Sequence, residues 1–223
     1  MKVSIIIPVL NEAKSIRGLL SSLSGLRVDG HEVLVVDGGS TDGTRSLARP
    51  LCDKLILCSR GRALQMNTGA RQASGGMLWF LHADSSLSTK VLDAVPGLFK
   101  EHAWGRFDLC LSGERPAYRV VERMINLRSR LTGIATGDQA IFVDRNLFWS
   151  VGGYPDIPLM EDVALSRELR RKMPPLNLPH KVETSSRRWE QDGLLSTVLL
   201  MWRLRFQYYM GADPGLLVKK YYN

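Results

Sequence analysis

Several features are scarce in this sequence, and each scarcity excludes a class of protein. Only three of the 223 residues are cysteines, and Cys52, Cys58 and Cys110 show no metal-ligand spacing. A disulfide framework is therefore not expected, and the pattern favours a reducing, cytoplasmic compartment. No run approaches the roughly 20 apolar residues that a membrane-spanning helix needs. Internal repeats and low-complexity linkers are also missing, which favours a single domain over residues 1–223.

The N-terminal segment MKVSIIIPVLNE has one apolar run, from Val3 to Leu10. Pro8 lies inside this run, and the polar pair Asn11 and Glu12 ends it. A secretory signal would continue into small residues and a cleavage site. The segment is therefore interpreted as a buried strand.

The composition that is present is ordinary for a globular enzyme, with 44% apolar and 23% charged residues. The formal net charge is +8. Residues 164–223 hold 11 Lys and Arg against 5 Asp and Glu, so much of the excess lies at the C-terminal end. A basic region favours acidic partners such as diphosphates, anionic lipid surfaces or nucleic acid, although a merely solvated basic face is the alternative.

Strand-like and helix-like segments alternate through residues 1–100. Strands are predicted at Val3–Val9, Glu32–Val36, Lys54–Cys58 and Met77–Leu81, and helices after Asn11 (as N-cap), after the turn 38–43, and at Ala63–Ala73 and Thr89–Lys100. Such alternation indicates an α/β fold with a parallel sheet. Ligands bind outside the carboxyl ends of such strands, so Asp37 and Asp84, which follow two strands, are expected to line one crevice.

The second half of the chain is less regular. Strands are predicted at Asp108–Leu111, Gln139–Val143 and Leu178–Thr184, and helices at Tyr118–Leu131, Glu161–Lys172 and residues 193–210. In the first of these helices an apolar stripe recurs every three to four residues, which predicts an amphipathic helix. The stripe consists of Val120, Met124, Leu127 and Leu131.

Two strand-end carboxylates could carry chemistry. Asp37, in DGGSTDGT, could accept hydrogen bonds from a nucleobase or a ribose, or its turn could only cap a helix through Ser40 or Thr41. Asp84, in LHAD, could bind a divalent cation or a metal-bound diphosphate. The neighbouring His82 could be a second ligand, a ribose contact or a packed histidine.

Further candidates lie at predicted helix starts and turns. A helix beginning near Gly61 carries Arg62 and Asn67, and helix N-termini favour anions. The acidic pair Glu161-Asp162 begins another helix, where it would in any case stabilise the helix dipole. A polar turn holds Asp138. The cluster 187–189 (Arg187-Arg188-Trp189) could clamp phosphate or form a surface cluster.

These motifs, in this order, resemble the family 2 glycosyltransferases, which have the GT-A fold. The resemblance rests on SIIIPVLNE (4–12), VVDGGSTDGT (35–44), LHAD (81–84), TGDQAIFV (136–143), GGYPD (152–156), MEDVALSREL (160–169) and SSRRW (185–189). It covers nearly the whole chain. The sequence looks closest to a bacterial subgroup of radical-SAM/selenodomain-associated transferases linked to arsenosugar biosynthesis, through residues 61–75 and 210–222.

The resemblance implies a three-layer GT-A (Rossmann-like) fold with a central, mostly parallel mixed sheet. Residues 1–100 would form a nucleotide-binding half, 101–192 an acceptor and catalytic half, and 193–223 a C-terminal apolar and basic helix with its tail. The implied reaction is a metal-dependent, inverting transfer from a UDP- or GDP-linked sugar to an acceptor hydroxyl.

The resemblance also implies roles for single residues. The nucleotide would contact Pro8, Asn11, Glu12, Asp37, Arg62, Asn67, His82 and Ala83. The base would be Asp162, with Asp138 and Glu161 near the acceptor or donor sugar, and the diphosphate would meet Arg187, Arg188 and Trp189. Mn²⁺ or Mg²⁺ would bind Asp84, although His82 stands where the family's D-x-D element usually begins. Ser185 replaces the Gln of the Q-x-x-R-W element, which argues against a processive synthase.

The predicted last helix and the rival functions leave alternatives open. One face of that helix carries Leu194, Leu195, Val198, Leu199, Trp202 and Phe206, with Arg203 and Arg205 close by. It could dock peripherally on the anionic inner face of a membrane and present a lipid-linked acceptor, or be a core or homodimer contact. A nucleotidyltransferase would need a Gly-rich basic loop after the first strand, which PVLNEAKS lacks. A nucleic-acid binder would need clustered aromatics on a basic sheet, and none are found.

Overall fold

The computed structural model describes residues 1–98 and 103–222. The strands are β1 Val3–Val9, β2 Glu32–Asp37, β3 Lys54–Leu57, β4 Met77–Phe80, β5 Ser86–Leu87, β6 Trp104–Leu111, β7 Phe142–Asp144 and β8 Leu176–Thr184. The helices are α1 Ile16–Ser22, α2 Ser24–Val28, α3 Thr44–Ala48, α4 Arg62–Gln72, α5 Thr89–Leu98, α6 Pro116–Thr132, α7 Arg145–Ser150, α8 Glu161–Lys172, α9 Arg187–Gln191, α10 Leu194–Tyr209 and α11 Pro214–Tyr222. The last two residues of the predicted helix Thr89–Lys100 lie outside the described ranges.

One eight-stranded mixed sheet organises the fold, in the order β3-β2-β1-β4-β7-β6-β8-β5. The first four strands of this order are parallel, β7 runs antiparallel to both its neighbours, and β6 pairs with β8 in parallel. Apolar clusters cover both faces: Ile5 and Ile7 belong to one and Ile6 to the other, as the alternation of a buried strand requires. The predicted α/β fold with a mostly parallel mixed sheet is confirmed.

Helix α4 packs closely on the sheet and fastens two strand ends together. A Cβ at Gly69 would lie 2.5 Å from Cγ2 of Ile6, so only glycine allows this approach. One turn earlier, Nε2 of Gln65 donates to the carbonyl oxygens of Val9, at 2.9 Å, and Val36, at 2.8 Å. The carboxyl ends of β1 and β2 are thus held side by side.

Two local predictions were wrong. The predicted strand Gln139–Val143 starts only at Phe142, because Gly137–Gln139 forms a 3₁₀ turn and Ala140 has a left-handed φ of 50°. The predicted cap Asn11 does not start a helix. Its φ of 56° turns the chain, its Oδ1 accepts from the Thr41 amide at 2.9 Å, and α1 begins at Ile16.

The amphipathic helix α6 turns its predicted apolar stripe outward. Val120, Met124, Leu127 and Leu131 are 42–77% exposed. The buried face instead carries polar side chains, since Glu122 accepts from the Leu111 amide at 2.7 Å. Asn126 accepts from the Leu109 amide at 2.9 Å. Among the described residues, β7 pairs with β6 only at Trp104 and Gly105. Beyond Gly105 the backbone amides on that side of β6 need other acceptors, and these two side chains provide them.

Candidate active site

Two neighbouring cavities open beside the carboxyl ends of β1 and β4. The strand-end cavity, of about 610 Å³, lies between the end of β1, the start of α4 and residues 156–159. The helix-lined cavity, of about 370 Å³, lies between α6, α8 and α10. Several side chains line both and form their common wall, among them Arg62, His82, Asp84 and Glu161.

The strand-end cavity collects most of the residues predicted to contact a nucleotide. Its lining includes Pro8, Glu12, Arg62, His82, Ala83 and Asp84. Arg60 and the N-terminus of α4 add positive potential to this wall. Asn11, Asp37 and Asn67, which were predicted to belong with this group, are not part of the lining.

Asp37 is fully buried and bound within its own turn. Its carboxylate accepts hydrogen bonds from the amides of Gly39 and Ser40, both at 3.1 Å, and from Nε of Arg45 at 2.7 Å. Burial raises the pKa of Asp37, but the bonds from Ser40 and Arg45 outweigh it and hold the pKa below its usual value. Neither Ser40 nor Thr41 caps the next helix, which begins at Thr44. This carboxylate does not line the strand-end cavity, and its contact with a nucleotide stays a prediction.

Asn67 braces a loop. Its Nδ2 donates to the Tyr154 carbonyl at 2.7 Å, and its Oδ1 accepts from the Tyr154 amide at 3.0 Å. The side chain is thereby occupied in joining α4 to the segment that leads into α8. Asn67 does not line the strand-end cavity, so its observed contacts are structural.

His82 is a buried, neutral imidazole at the end of β4. Burial, with the charge of Arg62, lowers its pKa to about 4. Its Nε2 has no hydrogen-bond partner in the described part of the chain. A Cβ at Gly137 would lie 2.6 Å from that nitrogen, so a glycine is needed opposite it.

The residues around Asp84 fit a metal ion whose other ligands are substrate phosphates and water. Within residues 1–98 and 103–222 there is no group of three His, Cys, Asp or Glu side chains that would hold a metal by itself. Mg²⁺ is commonly bound by one or two carboxylates together with substrate phosphates and water. Asp84, with the open nitrogen of His82 nearby, suits that mode and not a closed protein site.

Glu12 and Arg187 lie on the same side as Asp84. Burial raises the pKa of Glu12, the charge of Asp84 raises it further, and Arg187 lowers it. Arg187 begins α9, and Trp189 of that helix lines the helix-lined cavity. The side chain of Arg188 lies outside what the structure describes. Of the predicted diphosphate cluster, Trp189 lines a cavity, and the charge of Arg187 acts on Glu12.

The first turn of α8 holds two carboxylates of different character. Glu161 is 3% exposed; burial and the charge of Asp162 raise its pKa to about 7, against the opposing effect of Arg62 at 3.6 Å. Oδ2 of Asp162 accepts from the Gly137 amide at 2.7 Å, and its Oδ1 from the Val163 amide at 2.7 Å. The Glu161 carboxylate can therefore take up a proton near neutral pH, and the Asp162 carboxylate is fixed in orientation.

The helix-lined cavity combines apolar walls with charged groups. Its apolar lining includes Val121, Met124 and Ile125 of α6 and Val198, Met201 and Trp202 of α10. The charged groups include Arg128, Asp138, Asp162 and Arg205. The sequence analysis assigned no site role to Arg128. A single arginine on a helix is interpreted as a surface residue as long as the orientation of the helix is unknown.

The comparison with protein families identifies the chain. The sequence model of glycosyl transferase family 2 matches residues 4–148. Glycosyltransferase AglE of Haloferax volcanii is 41% identical over 93 residues, covering 38% of this chain and 31% of that protein. A PGL/p-HBAD biosynthesis glycosyltransferase of Mycobacterium tuberculosis is 34% identical over 167 residues, covering 68% and 62%. The chain thus spans less than two thirds of the length of these curated relatives.

Solved structures share the fold. TarS of S. aureus (residues 1–349) has a TM-score of 0.68 at 21% identity, covering 83% of this chain and 61% of that one. The mannosyltransferase PcManGT of Pyrobaculum calidifontis, solved with GDP-Man and Mn²⁺, has a TM-score of 0.63 at 24% identity, covering 92% and 60%. These neighbours share a GT-A-like architecture with the chain, and the family match identifies it: this protein belongs to glycosyl transferase family 2.

Proposed function

We propose that the chain catalyses a metal-dependent, inverting transfer of a sugar from a UDP- or GDP-linked donor to an acceptor hydroxyl. The observation that carries this is the common wall of the two cavities, where Asp84, Glu161 and His82 face both spaces. A donor in one cavity and an acceptor in the other would meet at these groups.

The strand-end cavity is the proposed donor site. Its volume of about 610 Å³ lies in the range of small-molecule sites, and Arg60 and Arg62 at the start of α4 would neutralise a diphosphate. Structural neighbours solved with UDP or with GDP-Man support a nucleotide sugar as the donor class. Thermal shifts with UDP and with GDP would distinguish the two nucleotides.

Asp84 is the proposed metal ligand, with donor phosphate and water completing the shell. Bound Mn²⁺ or Mg²⁺ would stabilise the negative charge that develops on the leaving diphosphate. Arg187, on the Glu12 side of the site, would add a second positive charge for the same group.

Asp162 is the proposed base. It would take the proton of the acceptor hydroxyl, which attacks the anomeric carbon from the face opposite the departing diphosphate. The bond from the Gly137 amide orients the carboxylate for this step, and Glu161 beside it would contact a sugar. Residues 1–100 are proposed as the donor half and residues 101–192 as the acceptor half, with Arg187 of the second half also meeting the donor diphosphate.

The exposed faces of α6 and α10 are proposed to dock on an anionic membrane surface, at the inner face of the cell membrane. On α10 the exposed apolar side chains are Leu195, Leu199, Trp202, Phe206, Tyr209 and Met210. Met124 of α6 and Trp202 of α10 are exposed and both line the helix-lined cavity, so the two faces meet at its mouth. Neither helix exposes an acidic side chain, while Arg123 and Arg203 are exposed. Among the described residues, no helix is long and apolar enough to cross a bilayer.

The direct test is the thermal shift of the protein with UDP, GDP and their common sugar conjugates, each with and without Mn²⁺. Stabilisation by one nucleotide family that increases with Mn²⁺ is expected, because a ligand that binds only the folded state raises the melting midpoint. No shift with any nucleotide, repeated by calorimetry, would contradict the donor assignment. Release of pyrophosphate from a nucleoside triphosphate and a sugar phosphate would instead indicate the rival nucleotidyltransferase. The link to the arsenosugar subgroup stays a prediction.

A further inference from the structure

Arg128 of α6 is a half-buried cation without a hydrogen-bond partner in the described structure. Its Nε and Nη2 are both inaccessible to solvent and unbonded. Across the same cavity, Oδ1 of Asp138 is also buried and unbonded. Such a guanidinium is unfavourable for the folded protein by itself, because two of its nitrogens have lost their water and donate no hydrogen bond in exchange.

Neighbouring arginines show how this fold treats a structural guanidinium. Arg106 donates to the Asp108 carboxylate and to the carbonyl oxygens of Phe107 and Asn126. Arg119 pairs with Glu122 at 3.0 Å and donates to the Leu111 carbonyl at 2.8 Å. Arg128 lies on the same helix as Arg119 but has no comparable set of acceptors.

The charge around Arg128 is also positive on one side. Burial and the charge of Arg205 lower its pKa to about 10, while Asp138 and Asp162 act in the opposite direction. The guanidinium is therefore still charged at neutral pH. Arg128 and Arg205 face the same cavity, and together they would attract an anion in spite of the carboxylate of Asp162 nearby.

We propose that Arg128, together with Arg205, binds an anionic group of the acceptor, a phosphate or a carboxylate. This rests on the proposed function, in which the helix-lined cavity receives the acceptor. Arg128 and Arg205 line that cavity and not the strand-end cavity, where Arg60 and Arg62 already serve the donor diphosphate. The free Oδ1 of Asp138 would accept a hydrogen bond from an acceptor hydroxyl.

The walls of the cavity indicate the rest of the acceptor. Met124, Ile125, Met201 and Trp202 surround the cationic pair with apolar surface that leads to the exposed faces of α6 and α10. An acceptor with an anionic group next to an apolar chain would fill both parts. A soluble phosphorylated or carboxylated acceptor would use the cationic pair alone.

Binding of three probes tests this. The probes are monomeric dodecyl phosphate, glycerol 3-phosphate and the neutral dodecyl maltoside, followed by the fluorescence of Trp189 and Trp202, which line the cavity. The test variant is Arg128→Gln, and Arg17→Gln is the matched control, because Arg17 is exposed on α1, lines neither cavity, and the charge change is equal. Arg128→Lys keeps the charge without the planar fork and should bind with intermediate affinity.

Dodecyl phosphate should bind the wild type at least about tenfold more tightly than dodecyl maltoside. Arg128→Gln should lose about tenfold of that affinity, while Arg17→Gln loses none. Equal binding of glycerol 3-phosphate would support the anion site with a soluble acceptor. Unchanged binding in Arg128→Gln, or equal binding of the neutral probe, would overturn the proposal.

Two further measurements separate this proposal from the proposed function and from a folding defect. The shift with nucleotide and Mn²⁺ should be the same in Arg128→Gln and the wild type; its loss in the variant alone would assign Arg128 to the donor and overturn the proposal. Absence of that shift in the wild type would count against the proposed function instead. Without ligands, Arg128→Gln should melt no lower than the wild type, and a large decrease would indicate a structural role.

Discussion

The backbone amide of Gly137 donates a 2.7 Å hydrogen bond to Oδ2 of Asp162, 25 residues further along the chain. The second oxygen, Oδ1, accepts from the Val163 amide at 2.7 Å. The bond from Gly137 fixes the carboxylate of α8 to the loop after α6. Each oxygen still has a second lone pair, so the carboxylate can be held in place and still accept a proton.

Asp162→Asn should lose most turnover while keeping nucleotide affinity. The amide cannot take up the acceptor proton, and its NH₂ group would face a backbone donor. A decrease in kcat of about 100-fold or more is expected for loss of a general base. Steady-state kinetics together with nucleotide titration check it. Glu168→Gln, an equal charge change on α8 at a side chain that is 45% exposed, is the control, and near-normal turnover in Asp162→Asn would remove the base assignment.

Asp84→Asn should weaken only the part of nucleotide binding that depends on metal. A neutral amide is a poorer ligand for Mn²⁺ than a carboxylate, while the contacts of Arg60 and Arg62 remain. Thermal shifts with the preferred nucleotide, with and without Mn²⁺, measure this, and Asp93→Asn on α5 is an exposed control. If the Mn²⁺-dependent increment is as large in Asp84→Asn as in the wild type, the metal binds elsewhere.

Glu161→Gln should make stability less dependent on pH. The pKa of Glu161 is about 7 in the folded protein, above the ordinary value of 4.5 for a glutamate carboxyl. The protonated carboxyl is therefore favoured by folding, so this contribution is full below about pH 4.5 and is lost as pH rises to about 7. The variant should gain roughly 2–3 kcal/mol over the wild type at pH 8 and little at pH 4. Urea unfolding at both values checks this, and parallel pH profiles would contradict it.

Gly69→Ala should destabilise the fold by separating α4 from the sheet. The added methyl would lie 2.5 Å from Cγ2 of Ile6 and 3.0 Å from Cγ2 of Val36. Overpacking of this kind costs about 1–3 kcal/mol. Gly18→Ala in α1 is the control, because its Cβ meets no atom within 4 Å and should leave stability equal or raise it by up to about 1 kcal/mol. Equal melting points for the two variants would contradict the close packing.

Leu195→Ser combined with Leu199→Ser should reduce flotation with phosphatidylglycerol liposomes by about tenfold, since two exposed leucines would no longer enter the lipid. Their exposures are 76% and 66%. Leu57→Ser, at a position 62% exposed on β3, is the control for loss of an exposed leucine. Unchanged flotation would contradict membrane docking, and conversion of a dimer to a monomer would assign this face to a second copy.

Much of the fold follows from local sequence. The strand Val3–Val9 and the helix Glu161–Lys172 have the predicted bounds, because a β-branched run and an acidic first turn followed by a Pro-Pro stop act over a few residues. The same locality places Asp84 at a strand end, where parallel sheets bind ligands. The order of motifs was sufficient to predict the family.

Other features were decided only by contacts between distant residues. The buried side of α6 is polar because the unpaired edge of β6 needs acceptors from Glu122 and Asn126, a demand that the helix's own sequence does not reveal. Asp37 was predicted as a ligand contact, yet Arg45 and its own turn occupy it. Arg128 enters the cavity only once α6 is oriented in this way. The sequence by itself determined the elements and their chemistry, and the tertiary structure decided which side chains face the cavities, since burial and hydrogen bonding are satisfied by the whole fold.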